Sequence, residues 1–287
     1  MIEETAAPKP GTLGVAWRAF VFIVASVGFA TLGATILSGA SRGAGKISVS
    51  FDSLPGVLLG VIAVSLATWA MLHTEKGLGW GSLYLDGPAL DAKKIGFGLL
   101  LGAAGIGVPS AVLLVSRELG VRTTPAGNWI SAAAFDAAFF ALAATMEELV
   151  VRGYLFSLVR RQWGWKTALV STSLLFGALH LLNPGADAES MLNVTLAGIF
   201  LAAVLLVTRS LYAAIAAHLA WNWTMAALFH SVVSGAAIPA PNYATVDNGP
   251  DWLTGGQWGP EGGAGATAAM LVLIFILYRM RRSRVES

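Results

Sequence analysis

The stretch ATMEELVVRGY at 144–154 places Glu147, Glu148 and Arg152 inside an apolar segment. Two later apolar segments carry His180, and His218 with Asn222. These residue types suit hydrolysis. A carboxylate in a poorly hydrated place, next to an imidazole, is a usable base near neutrality. Imidazole and amide N–H groups can donate to the oxyanion formed when an activated water attacks a peptide carbonyl. Spacing divides the roles. Glu148 and Arg152 are four apart and share a helix face, so they form the natural ion pair. Glu147 and Arg152 are five apart and do not share one. Glu147 is therefore the carboxylate left for chemistry, with Glu148 and Arg152 in support. His218 and Asn222, again four apart, project from one face.

A second construction uses the same groups. Glu147, His180 and His218 could ligate a zinc ion that activates the water. The chain has no HExxH, so the usual zincin geometry is not available. Asn222 is a poor zinc ligand but a good oxyanion donor, which favours the metal-free version. The cofactor expectation is thus none, or Zn2+. Cysteine is absent, which excludes thiolate chemistry and disulfides. Ser173 and Ser210 have no evident partner at the right level.

The elements that must position these residues are membrane helices. Of 287 residues, 56% are hydrophobic and 12% charged, against about 25% charged in a soluble domain. Mean hydropathy is +0.69. Apolar stretches fall at 17–39, 54–72, 95–116, 129–158, 167–189, 190–208, 210–233 and 264–280. About 20 apolar residues cross the bilayer, so the expectation is an all-α polytopic bundle of about eight transmembrane helices in a single domain. The other deep polar residues are Asp136 and His230. Such groups are costly in hydrocarbon and mark functional sites by default.

Depth can be counted from the basic turn RRQWGWK at 160–166. Glu147 lies 13 residues before Arg160, about 20 Å along a helix. His180 lies 14 residues after Lys166, about 21 Å. His218 and Asn222 lie 9 and 13 residues after Arg209, about 14 and 20 Å. Four groups from three helices thus reach one region of depth, and a shared cavity follows. Residues 1–125 read as scaffold helices, glycine-rich and suited to close packing. Residues 129–230 hold the catalytic helices. The Gly-, Pro- and Trp-rich 235–263 reads as a passive external loop, and 264–287 as the last helix with a basic tail.

Charge orients the bundle. Lys76, Lys93, Lys94, Arg160, Arg161, Lys166, Arg209 and the tail arginines 279, 281, 282 and 284 fall on one side. The other side carries Arg42, Lys46, Arg117 and Arg122, with the acids Asp187, Glu189, Asp247, Asp251 and Glu261. The positive-inside rule places both termini in the cytoplasm of a bacterial-type plasma membrane. The partners expected are the lipid bilayer and a peptide or lipidated protein substrate. The basic residues are explained by topology and not by nucleic acid. The sequence does not fix the oligomeric state.

Three motifs also carry a family resemblance. EELVVR at 147–152 fits EExxxR, FGALH at 176–180 fits FxxxH, and HLAWN at 218–222 fits HxxxN. In order and separation they resemble the CAAX protease and bacteriocin-processing family of intramembrane proteases, which includes the type II CAAX prenyl endopeptidase. RGYLFSLV after the first motif agrees, as does TRSLYAAIAAH before the last, where relatives often have Trp at the place of Tyr212. The resemblance covers roughly 129–230. It implies an eight-helix bundle with a cavity open to the cytoplasm. It further implies that Glu147 and His180 activate water and that His218 and Asn222 stabilise the oxyanion, while Glu148 and Arg152 match supporting positions. Members are often called metalloproteases, and a metal-free glutamate mechanism has also been argued for them. One departure is Ala202, where relatives often show a second glycine after Gly198. Substrates implied are CAAX-type prenylated proteins or other small membrane-associated peptides.

Two other classes use the same residues. A transporter would line a pathway with buried Glu, His and Asn, and would spread polar groups along its length. Here they gather near one depth. A non-catalytic bacteriocin-immunity protein would tolerate loss of Glu147.

Overall fold

The computed structural model describes residues 8–40 and 53–286. Arg42 and Lys46, used above for orientation, lie outside them. The chain forms α1 (Thr12–Ala40), α2 (Leu54–Thr74), α3 (Ala92–Val115), β1 (Leu119–Thr123), α4 (Trp129–Glu148), α5 (Phe156–Leu179), α6 (Ala188–Thr208), α7 (Leu211–Trp223), β2 (Tyr243–Asp247), the short α8 (Asp251–Thr254) and α9 (Ala264–Glu286). It is a helical bundle. The one addition is an antiparallel ribbon in which β1 pairs with β2, Val121 opposite Thr245.

Six helical runs among the described residues are long and apolar enough to cross a membrane. The expected eight are not counted separately, for two local reasons. Trp129–Leu179 is a single 51-residue helical run that breaks at Gly164, where φ is 84° and ψ 171°. That left-handed φ suits glycine, and it falls inside RRQWGWK. The stretch after Arg209 divides into α7, 13 residues long, and a wider π-type turn over Thr224–Phe229. The apolar stretch expected to run to 189 is also shorter: α5 stops at Leu179, and His180 is its C-terminal cap residue.

Glycine on α3 sets where α7 lies. A Cβ on Gly98 or Gly102 would collide with the carbonyls of Ala213 and Ala217, so the two backbones touch as small residues allow in membranes. A Cβ on Gly105 would meet the Trp221 ring at 2.8 Å. The glycine-rich first half thus packs directly against the helix that carries His218 and Asn222. Gly102→Val should push α3 off α7, at about 1–3 kcal/mol for overpacking. The expected reading is a lower melting temperature in detergent, and an unchanged melting temperature would contradict it.

The basic end of the bundle is tied together. Glu75, just past α2, accepts from Arg161 Nη1 at 2.9 Å and from Tyr154 Oη, and pairs with Arg18 Nε at 3.1 Å. Arg160 Nη1 donates to Tyr84 Oη at 2.6 Å. The Arg281 guanidinium stacks 3.5 Å above the Trp165 ring. The start of α1, the end of α2, the Gly164 break and the end of α9 therefore share one end.

At the other end, the segment after α7 does not simply trail over the surface. Trp258 is 1% exposed and packs with Val151, Phe176 and Val194. The reading of 235–263 as a passive external loop did not include this packing. Its glycines and prolines permit tight turns, which let Trp258 and its neighbours enter the bundle.

Candidate active site

Glu147 and Glu148 end α4, and the next residues, Leu149–Leu155, form a π-type turn in which Gly153 leaves helical geometry at ψ −105°. Such widened turns recur at functional sites. This one carries Arg152 with it. The Arg152 side chain is fully buried, as is that of Glu148, and the pair closes at 2.9 Å from Nη1 to Oε1. Nη2 donates to the Gly198 carbonyl at 3.1 Å, and the guanidinium stands 4.1 Å over the Phe176 ring. A buried charge needs this degree of partnering to be tolerated.

The same Glu148 Oε1 also meets His218 Nδ1, at 3.1 Å. Glu148 was expected to pair with Arg152; it does, and it also meets His218. Its carboxylate bridges Arg152, in the π-type turn after α4, to His218 of α7. With Nδ1 committed to Glu148, His218 presents Nε2 to Glu147, whose Oε2 lies 3.9 Å away. Glu147 is the more accessible carboxylate, with 31% of its side chain exposed. Its Oε2 is nevertheless buried and makes no hydrogen bond within the protein. Glu148 Oε2 is likewise buried without a hydrogen bond, so what sets Glu147 apart is that the rest of its side chain is accessible.

Phe176 organises the remaining groups. Its ring lies 4.7 Å from the His180 ring and 5.8 Å, edge-on, from that of His218. His180 Nδ1 bonds the Phe176 carbonyl at 2.8 Å, which leaves Nε2 for other partners. His180, His218 and Asn222 line one cavity of about 30 Å³, enough for a water molecule. Glu147, expected to share this cavity, is not among its lining residues; its link to it is the 3.9 Å approach to His218 Nε2. The remaining walls include Asn193 and Phe200 from α6, Ser234, Glu261 and Met270.

The sequence did not single out Asn193, Ser234 or Glu261. Asn193 was detectable as the lone amide in the apolar run of α6. Glu261 gave no signal, since it sits in a glycine-rich connection. Asp136 and His230, the other deep polar residues, do not line the cavity. His230 Nδ1 bonds the Tyr243 carbonyl at 2.8 Å, and the two rings stack 4.1 Å apart.

The zinc alternative placed Glu147, His180 and His218 around one ion. Among the described residues no three His, Asp or Glu side chains gather as metal ligands. His218 Nδ1 is held by Glu148 and His180 Nδ1 by a backbone carbonyl, which leaves Nε2 of each ring for other partners, and Glu147 Oε2 lies 3.9 Å from that of His218. Zinc dependence thus has no support from a ligand cluster.

Fold and site together define a helical membrane bundle with a buried His/Glu network, consistent with a glutamate/histidine-based catalytic site. Residues 128–224 match the family model described as Rce1-like, type II CAAX prenyl endopeptidase Rce1-like. The matched stretch contains Glu147, Glu148, Arg152, His180, His218 and Asn222. Comparison with curated proteins and with solved structures gives no match.

Proposed function

We propose that this protein is an intramembrane endopeptidase that hydrolyses a peptide bond with a water activated by Glu147 and His180. The observation that carries this is the partly exposed Glu147 carboxylate, with Oε2 free of hydrogen bonds and 3.9 Å from Nε2 of His218, a residue that lines a water-sized cavity with His180 and Asn222. Glu147 takes a proton from the water as its oxygen bonds to the carbonyl carbon, and that proton later goes to the leaving amine. His218 Nε2 and the Asn222 amide face the same cavity and stabilise the oxyanion when they donate to it. Glu148 and Arg152 support the site: Glu148 fixes the His218 ring, and Arg152 neutralises Glu148. The reaction needs no metal in this reading.

The substrate class is a peptide at the membrane, either a CAAX-type prenylated tail or another short membrane-associated segment. The helices make eight crossings, with the 51-residue run counted twice across Gly164 and the run from α7 to Phe229 counted once. The clustered basic residues at one end set both termini in the cytoplasm. The rival transporter reading has less support, because His180, His218 and Asn222 line one small cavity together.

The test is cleavage of a defined peptide, plain or prenylated, by detergent-purified protein before and after chelation. Cleavage should survive chelation. Asn222→Ala removes one oxyanion donor, so kcat should fall roughly 10²–10³-fold with KM largely kept. A wild type that cleaves no peptide, or an Asn222→Ala variant as fast as wild type, would remove the basis for this reading. Stoichiometric zinc whose loss abolishes cleavage would replace the metal-free mechanism.

A further inference from the structure

We propose that Glu261, outside the family-matched segment, is a positioning residue for this site. The inference rests on the hydrolytic reading above and adds a group to it. Glu261 accepts three hydrogen bonds. Ser234 donates its backbone N–H at 2.6 Å and its hydroxyl at 2.7 Å to Oε1, and the Trp221 indole donates at 2.8 Å to Oε2. Bonds to a carboxylate are shorter and stronger than neutral ones. Glu261 also lines the cavity with His180, His218 and Asn222.

Trp221 makes this more than a loop anchor. It is 4% exposed, immediately precedes Asn222, and lies three residues after His218. Its ring is wedged between Gly105 of α3 and Phe200 of α6. Packing confines the ring, and the single indole N–H selects where its edge points. The grip comes just before Thr224, where α7 widens and helical hydrogen bonding alone defines the register least. Glu261 thus holds the turn of α7 that presents Asn222.

The carboxylate is itself held firmly. Asn193 Nδ2 donates to the carbonyls of Gly262 and Gly263 at 2.6 and 3.2 Å, and the Thr267 hydroxyl donates to Asn193 Oδ1 at 2.6 Å. The Pro260–Gly263 turn is therefore fastened to α6 on one side and to α7 on the other. Glu261 transmits that fixed position to the oxyanion side of the cavity.

The experiment is a double-mutant cycle on turnover, using the full chain in detergent and one defined peptide. Glu261→Ala removes both grips, and Glu261→Gln keeps acceptance at one oxygen only. Trp221→Phe keeps the ring and removes the N–H. Glu261→Ala should lower kcat on the order of 10–100-fold, the scale of a small misplacement of a reacting group, with KM little changed. Glu261→Gln should fall between. Trp221→Phe should lower kcat as well, and adding it to Glu261→Ala should cost no further turnover, since both remove one interaction. If Glu261→Ala folds poorly, the Gln and Phe variants carry the cycle. Normal kcat in the Glu261 variants, fully additive effects, or a change confined to KM would overturn the positioning role. Failure of the hydrolytic reading looks different, because the wild type itself would then cleave nothing.

Discussion

Glu147→Gln should fold, insert and lose nearly all cleavage of a peptide that the wild type cuts. Glutamine keeps the length and shape of the side chain. It removes the charge and the proton-accepting oxygen that lies 3.9 Å from His218 Nε2. Folding should be preserved because Oε2 makes no hydrogen bond within the protein. The fold therefore does not depend on that oxygen, and a neutral amide is cheaper to bury than a carboxylate. General base catalysis contributes typically 10²–10⁴-fold, and the loss of kcat should fall in or above that range. The measurement is single-peptide turnover beside the yield of monodisperse protein in detergent. Comparable turnover by wild type and variant would refute the hydrolytic role of Glu147. It would move the assignment toward a transporter or a non-enzymatic membrane protein.

Arg152→Ala should fail in another way. Its guanidinium meets Glu148, the Gly198 carbonyl and the Phe176 ring within one buried site. Alanine leaves the Glu148 carboxylate with no cation while it stays fully buried. Breaking a buried pair by removing one partner costs about 3–5 kcal/mol. That is a large part of the stability of most folds, so folded yield and melting temperature should drop along with activity. Glu148 would also lose the charge that holds Oε1 in place, and His218 would lose its anchor. Replacing both Glu148 and Arg152 with Gln and Met should recover part of the yield, because no lone charge is then buried, but not the turnover. A singly substituted protein with normal melting and activity would show that the pair is dispensable.

The charged spacing in 147–152 was legible because a helix repeats every 3.6 residues. Glu148 and Arg152 pair as that period requires. Its limits show at the same place. The straight-helix argument gave Glu148 to Arg152 alone, whereas the π-type turn over Leu149–Leu155 and the approach of α7 let one oxygen serve Arg152 and His218 together. The depth count placed Glu147, His180, His218 and Asn222 in one cavity; the last three line it and Glu147 does not, and α5 ends at Leu179 and so presents His180 from a cap instead of a helix face.

Composition and periodicity by themselves determined that the chain is a helical membrane bundle, and which ionisable residues lie deep within it. Both follow from local chemistry: burying apolar length in hydrocarbon is favourable, and burying charge is costly wherever the segment finally packs. Only the tertiary structure decided that Glu148 bridges two helices, that Gly198 supplies a carbonyl to Arg152, and that the glycines of α3 admit α7. It alone brought Asn193, Ser234 and Glu261 to the cavity. Glu261 stands 39 residues after Asn222 in a polar connection. No pattern along the chain encodes that meeting, because it depends on how α6, α7 and α9 pack and on the turn that Asn193 fastens between them.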